Sequence, residues 1–190
     1  MLNLRTLDKT TYKSQRLFLL KNLEEHKDTS GNAILSKAVY FDSVGIPTIG
    51  IGMNLRSGNP RLFLAQWMLE RYGVKTTSAI ESLESKITIA TAEGSSYSTP
   101  AKLQTELDRI LIDQTGNSAA TFSFLDDAEV ENACSQLAEN VYETKIVTWY
   151  GSTIDYSEER LALLSLSYNG GLGGKLKEAI QGGNRSEAWY

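Results

Sequence analysis

Residues 40 to 55 read YFDSVGIPTIGIGMNL. Glycines at 45, 50 and 52 and a proline at 47 punctuate an otherwise apolar, β-branched run. Such a run is too broken for a helix and too apolar for a free loop. The pattern predicts a hairpin from Tyr40 to Ile51 with its turn near Ser43–Gly45. Pro47 donates no backbone hydrogen bond, which points to an edge strand or a bulge. Asp42 and Thr48 stand out as polar groups in this stretch. An Asp before a tight turn also serves as ordinary turn chemistry, and a Thr in a strand as an ordinary strand former.

The rest of the chain reads as helix. Residues 15–25 place Leu17, Leu20 and Glu24 three and four apart, which puts Glu24 at the edge of an apolar face. Residues 28–39 read as extended, with a turn at Ser30–Asn32. Helices follow over 61–72, closed by Gly73, and over 78–89. A polar loop spans 90–99, and Thr99-Pro100 opens a helix to about 114. Asp126 and Glu129 form a capping pair before a long helix to about 149. Residues 157–168 are apolar on most sides and predict a central buried helix, broken by NGGLGG at 169–174. A short helix, KLKEAIQ, comes last. The expected architecture is α+β, one domain over 1–190, with a small β-containing lobe at 15–58 and an all-helical lobe at 59–190.

Bulk properties narrow the function. The chain of 190 residues carries a net charge of −4 and no dense Lys/Arg cluster, which argues against a nucleic-acid partner. Cys134, the one cysteine, excludes an internal disulfide, and Val130, Leu137 and Val141 at helical spacing predict that it is buried. His26 stands alone and makes no metal site. The longest apolar run, LFLL at 17–20, is too short for membrane insertion. MLNLRTLDKTTYKSQ lacks the apolar core of a secretory signal.

Two polar groups flanking a sugar bond suffice for glycoside hydrolysis, one as an acid and one to activate or place water. Glu24 at the end of an apolar helix suits the acid, and Asp42 with Thr48 suits the water. Tyr40, Asp42, Gly45, Thr48, Ile49, Gly50 and Gly52 together resemble the signature of phage-type lysozymes, glycoside hydrolase family 24. Upstream, LLKNLE is similar to that family's helix ending in the catalytic Glu. LDDAEVENACSQLAENV and ERLALLSLSYNGG resemble its long and its buried helix.

The resemblance implies a lysozyme-like fold with a cleft between two lobes. It implies cleavage of the β-1,4 bond between N-acetylmuramic acid and N-acetylglucosamine, by inversion, with Glu24, Asp42 and Thr48 catalytic. Gly52, Tyr168, Asn169 and Gly170 would line the substrate, and no metal or organic cofactor is implied. Glu25 is the alternative acid, because Glu25 and His26 follow Glu24 where the family has Gly. Three further departures are the eighteen-residue separation of Glu24 and Asp42, which adds a loop near KDTSGNAIL, Met53 after Gly-x-Gly in place of His, and a chain that stops at SEAWY.

The implied partner is the peptidoglycan glycan strand, reached from the cytoplasm through a holin or a secretion machine. If the chain is an excised antibacterial effector, an immunity protein would block the cleft. The alternatives are a lytic transglycosylase and a catalytically silent peptidoglycan-binding module.

Overall fold

The structure is a computed structural model and describes residues 6–23, 35–150, 154–169, 171 and 173–182. In chain order the elements are α1 (Lys9–Leu23), β1 (Ser36–Phe41), β2 (Pro47–Gly50), β3 (Met53–Asn54), α2 (Gly58–Arg71), α3 (Thr77–Thr91), α4 (Pro100–Thr115), α5 (Asp127–Leu137), a π-turn (Ala138–Glu143), α6 (Thr144–Tyr150), α7 (Glu158–Tyr168) and α8 (Gly174–Gln181). The class is mixed α+β, with a small antiparallel sheet and a helical bulk. The chain divides into two compact units, Glu24–Cys134 and Met1–Leu23 with Ser135–Tyr190.

In the unit Glu24–Cys134, a three-stranded meander runs in the order β1-β2-β3. The sequence predicts two strands; the third, β3, is two residues long and carries no periodicity to read. It also puts Pro47 at an edge or bulge, whereas β2 is the central strand. Pro47 is tolerated there because it occupies the first position of the strand, opposite Phe41, where its carbonyl still accepts from Leu55 N at 2.9 Å.

The free edge of β1 is covered. Val39 N–H donates to Gln104 Oε1 of α4 at 2.9 Å, and the Lys37 carbonyl accepts from Phe124 N at 2.9 Å. Val39, Ile49, Met53 and Leu55 bury themselves with Leu64, Met68, Leu83, Ile87, Leu103, Leu107 and Phe122 from the helical part. Thr99 caps α4 through Lys102 N, and Gly116 closes it at φ 68°. Asp126 Oδ1 caps α5 by accepting from Glu129 N at 2.8 Å. Glu129 then returns its carboxylate to Leu125 N, Trp67 Nε1 and Arg71.

In the other unit, α1 begins six residues before the expected start at 15. Asp8 is the reason: its Oδ1 accepts from Thr10 N and Thr11 N, capping a polar first turn that shows no apolar period. The buried face of α1 is Tyr12, Arg16 and Leu20, spaced four apart, rather than Leu17 and Leu20, and Phe18 is exposed. Between α5 and α6 the helix carries the π-turn, where regular helix is expected. The apolar period runs on through Cys134, Ala138, Tyr142 and Ile146, all buried, and the widened turn brings Glu143 inward as well. Cys134 is fully buried, as its neighbours predict. No helix among the described residues is long and apolar enough to cross a membrane.

Candidate active site on the hairpin

The β1–β2 turn is built by Asp42. Its backbone N–H donates to the Ile46 carbonyl at 3.0 Å, and its own carbonyl accepts from Gly45 N at 3.0 Å. Gly45 takes φ 80°, a conformation open to glycine at little cost. The side chain closes the loop: Asp42 Oδ1 accepts from Val44 N at 3.0 Å and Ile46 N at 2.7 Å. The second oxygen, Oδ2, meets no donor among the described residues.

Thr48 lies opposite Tyr40 on one side and Asn54 on the other. Opposed residues of antiparallel strands project to the same face, and so do residues two apart. Asp42, Ile46, Thr48 and Asn54 therefore share one face of the meander, on which Thr48 is buried and the other three half-buried, while Val39, Pro47, Ile49 and Met53 occupy the opposite face and are all buried. The Thr48 hydroxyl donates to the Ile46 carbonyl at 3.0 Å, and the residue is only 3% exposed. Asp42 and Thr48 thus grip the two ends of one peptide-bonded residue. A hydroxyl donating in this way keeps its lone pairs for a water proton.

The glycines of GIG have a local explanation. Gly50 and Gly52 hold φ 65° and 66° in the link to β3. A Cβ on Gly50 would stand 3.1 Å from Phe124 Cε2 and 3.4 Å from the Met53 methyl. Met53 is 1% exposed and packs under that turn.

Glu24, Glu25 and Gly170 lie outside the described residues. Tyr168 and Asn169 stand at the end of α7, in the unit Met1–Leu23 with Ser135–Tyr190. Tyr168 is half-buried, its ring 4.8 Å from Tyr142, over which the Lys145 ammonium sits at 5.3 Å. Asn169 is exposed and donates to the Ser165 carbonyl at 3.0 Å.

Two features escape sequence reasoning. Asn54 completes the polar face only through the pairing of β3, and a two-residue strand leaves no signal. The second is the buried pairing of Arg16 with Glu143 at 2.5 Å, between residues 127 positions apart. A polar TTYKSQR stretch gives no hint that Tyr12 and Arg16 face inward. Burial and the Glu143 carboxylate push the Tyr12 phenol well above its ordinary value, so it stays protonated at any ordinary pH.

Comparison with family models, with curated proteins and with solved structures gives no match for this chain.

Proposed function

We propose that this chain is a peptidoglycan hydrolase of the phage-type lysozyme kind, cleaving the β-1,4 bond between N-acetylmuramic acid and N-acetylglucosamine. The observation that supports it most is the Asp42–Thr48 pair, held on one face of the meander around Ile46. Asp42 Oδ1 is tied down by two backbone N–H groups, which orients Oδ2 as the acceptor for a water proton. Thr48 Oγ1, its own proton engaged by Ile46, accepts the water's second hydrogen and sets its direction. Glu24 is the proposed general acid for the leaving oxygen, and Glu25 the alternative. An inverting reaction needs room for the water, with carboxyl groups about 6.5–9.5 Å apart. Gly52, in the same unit as Asp42 and Thr48, is the proposed saccharide contact. In a cell the protein acts on the wall after delivery, as an endolysin or as an effector with its own immunity protein.

A second reading has an observation of its own. Both polar groups also serve the backbone of the turn, which is what a silent peptidoglycan-binding module with a retained hairpin would show. Purified sacculi incubated with wild type, Glu24→Gln, Glu25→Gln and Asp42→Asn, with mass spectrometry of released muropeptides, separate the two. Reducing-end products lost in Asp42→Asn and in one of the Glu variants support the hydrolase. Anhydro products indicate a lytic transglycosylase, and binding without products indicates the module.

A further inference from the structure

Every described arginine but one is paired with a carboxylate. Arg16 and Arg160 share Glu143, Arg61 meets Glu84, Arg71 meets Glu129, and Arg109 meets Glu106 and Asp113. Arg56, in the unit Glu24–Cys134, has no such partner, yet it is exposed and tethered at three points. Its backbone N–H donates to Asn54 Oδ1 at 2.7 Å, and its carbonyl accepts from Arg61 Nη1. Its Nε donates to the Thr91 carbonyl at 2.9 Å. Thr91 is itself fixed: 1% exposed, it donates its hydroxyl to the Ile87 and Leu55 carbonyls at 2.8 and 3.3 Å.

The Nε bond caps the C-terminal end of α3, which one donor is enough to do. Nη1 and Nη2 meet no acceptor among the described residues. The outer fork of a guanidinium matches the two oxygens of a carboxylate, and tethering its stem removes much of the entropy cost of using it. Asn54 adds a neutral donor beside it. With Oδ1 engaged by Arg56 N, its Nδ2 protons meet no acceptor among the described residues. Asn54 stands opposite Thr48, one strand spacing of about 4.8 Å away. An unpaired, tethered cation and an amide donor thus follow directly on the face that carries Asp42 and Thr48. In a chain of net charge −4, such a feature is complementary to an acidic group on a ligand.

We infer that Arg56, together with Asn54 Nδ2, is a subsite for a carboxylate of the glycan strand. Peptidoglycan offers that group in two places, on the lactyl arm of N-acetylmuramic acid where no peptide is attached and on the stem peptide where one is. The inference rests on the hydrolase reading and adds to it a preference for acidic over neutral saccharide.

Initial rates at low substrate, giving kcat/KM, are measured on three glycan strands: stem-bearing, peptide-free, and peptide-free with the lactyl carboxylates converted to methyl amides. Wild type cleaves at least one acidic strand about three- to tenfold faster than the methyl amide. The faster of the two acidic strands names the source of the carboxylate. Arg56→Gln levels the three rates. Asn54→Asp keeps the oxygen that holds Arg56 N, replaces the amide donor by a negative charge, and lowers the preference as well. A wild-type ratio near one, or the same ratio kept in Arg56→Gln, overturns the inference and leaves hydrolysis standing. No product from any strand overturns the hydrolase reading, and this subsite with it.

Discussion

Asp42 and Thr48 meet at the backbone of Ile46: the carboxylate accepts its N–H at 2.7 Å and the hydroxyl donates to its carbonyl at 3.0 Å. This separates the turn-building role of Asp42 from any chemical one. Asp42→Asn keeps an oxygen for the Val44 and Ile46 N–H groups, so stability in urea changes by less than about 0.5 kcal/mol. Asp42→Ala loses both bonds and costs about 1–2 kcal/mol. If Asp42 is the base, muropeptide release is lost in both. An Asn variant as unstable as the Ala variant would sink this account of the turn.

Gly50 is the hairpin glycine that a core ring approaches. Its φ of 65° and the 3.1 Å approach of Phe124 Cε2 act together. Gly50→Ala is expected to cost about 2–3 kcal/mol, from left-handed strain plus displacement of a core ring. Gly116→Ala, at φ 68° with open space around the added methyl, carries the strain alone, about 1 kcal/mol. Urea unfolding of the pair reads the difference, and equal costs would mean that Phe124 yields freely.

Glu143 is the acceptor that makes the buried Arg16 and the largely covered Arg160 tolerable. Glu143→Ala leaves Arg16 and Arg160 without their carboxylate and is expected to cost about 3–5 kcal/mol. Lys13→Ala removes one side of a half-exposed pair and costs less than about 1 kcal/mol. Chemical denaturation followed by the near-ultraviolet signal of the tyrosines and tryptophans ranks the two.

Glu139 sets a pH response. The hydrogen bond from Lys13, ahead of its charge and that of Arg16, holds the carboxyl below its ordinary value of 4.5. A carboxyl depressed by folding stabilises above its unfolded value, and that contribution is lost as pH falls through the lower folded value. Melting temperature should therefore decline below pH 4.5, and Glu139→Gln should make that decline shallower. An unchanged acid limb in the variant would show that other carboxyls dominate.

Much of this architecture is legible wherever one residue does one local job. Thr99-Pro100 opens α4, Asp126 caps α5, and Gly73 and Gly116 end helices with left-handed φ. The start of α1 is not legible, because Asp8 caps a turn of polar residues with no period. Nor is Pro47 in a central strand, since its position within the strand, not its identity, decides whether a ladder bond is lost.

The candidate site divides in the same way. The sequence by itself determined the hairpin, the placement of Asp42 before its turn and the need for glycine near residue 50, since these depend on φ, on alternation and on bonds a few residues long. Only the tertiary structure decided that β3 adds Asn54 to the polar face, that Met53 is core, and that Arg16, Glu143 and Arg160 form one buried cluster. Those outcomes depend on which surfaces meet after the chain has folded, and partners 127 residues apart leave no periodicity in the order of residues.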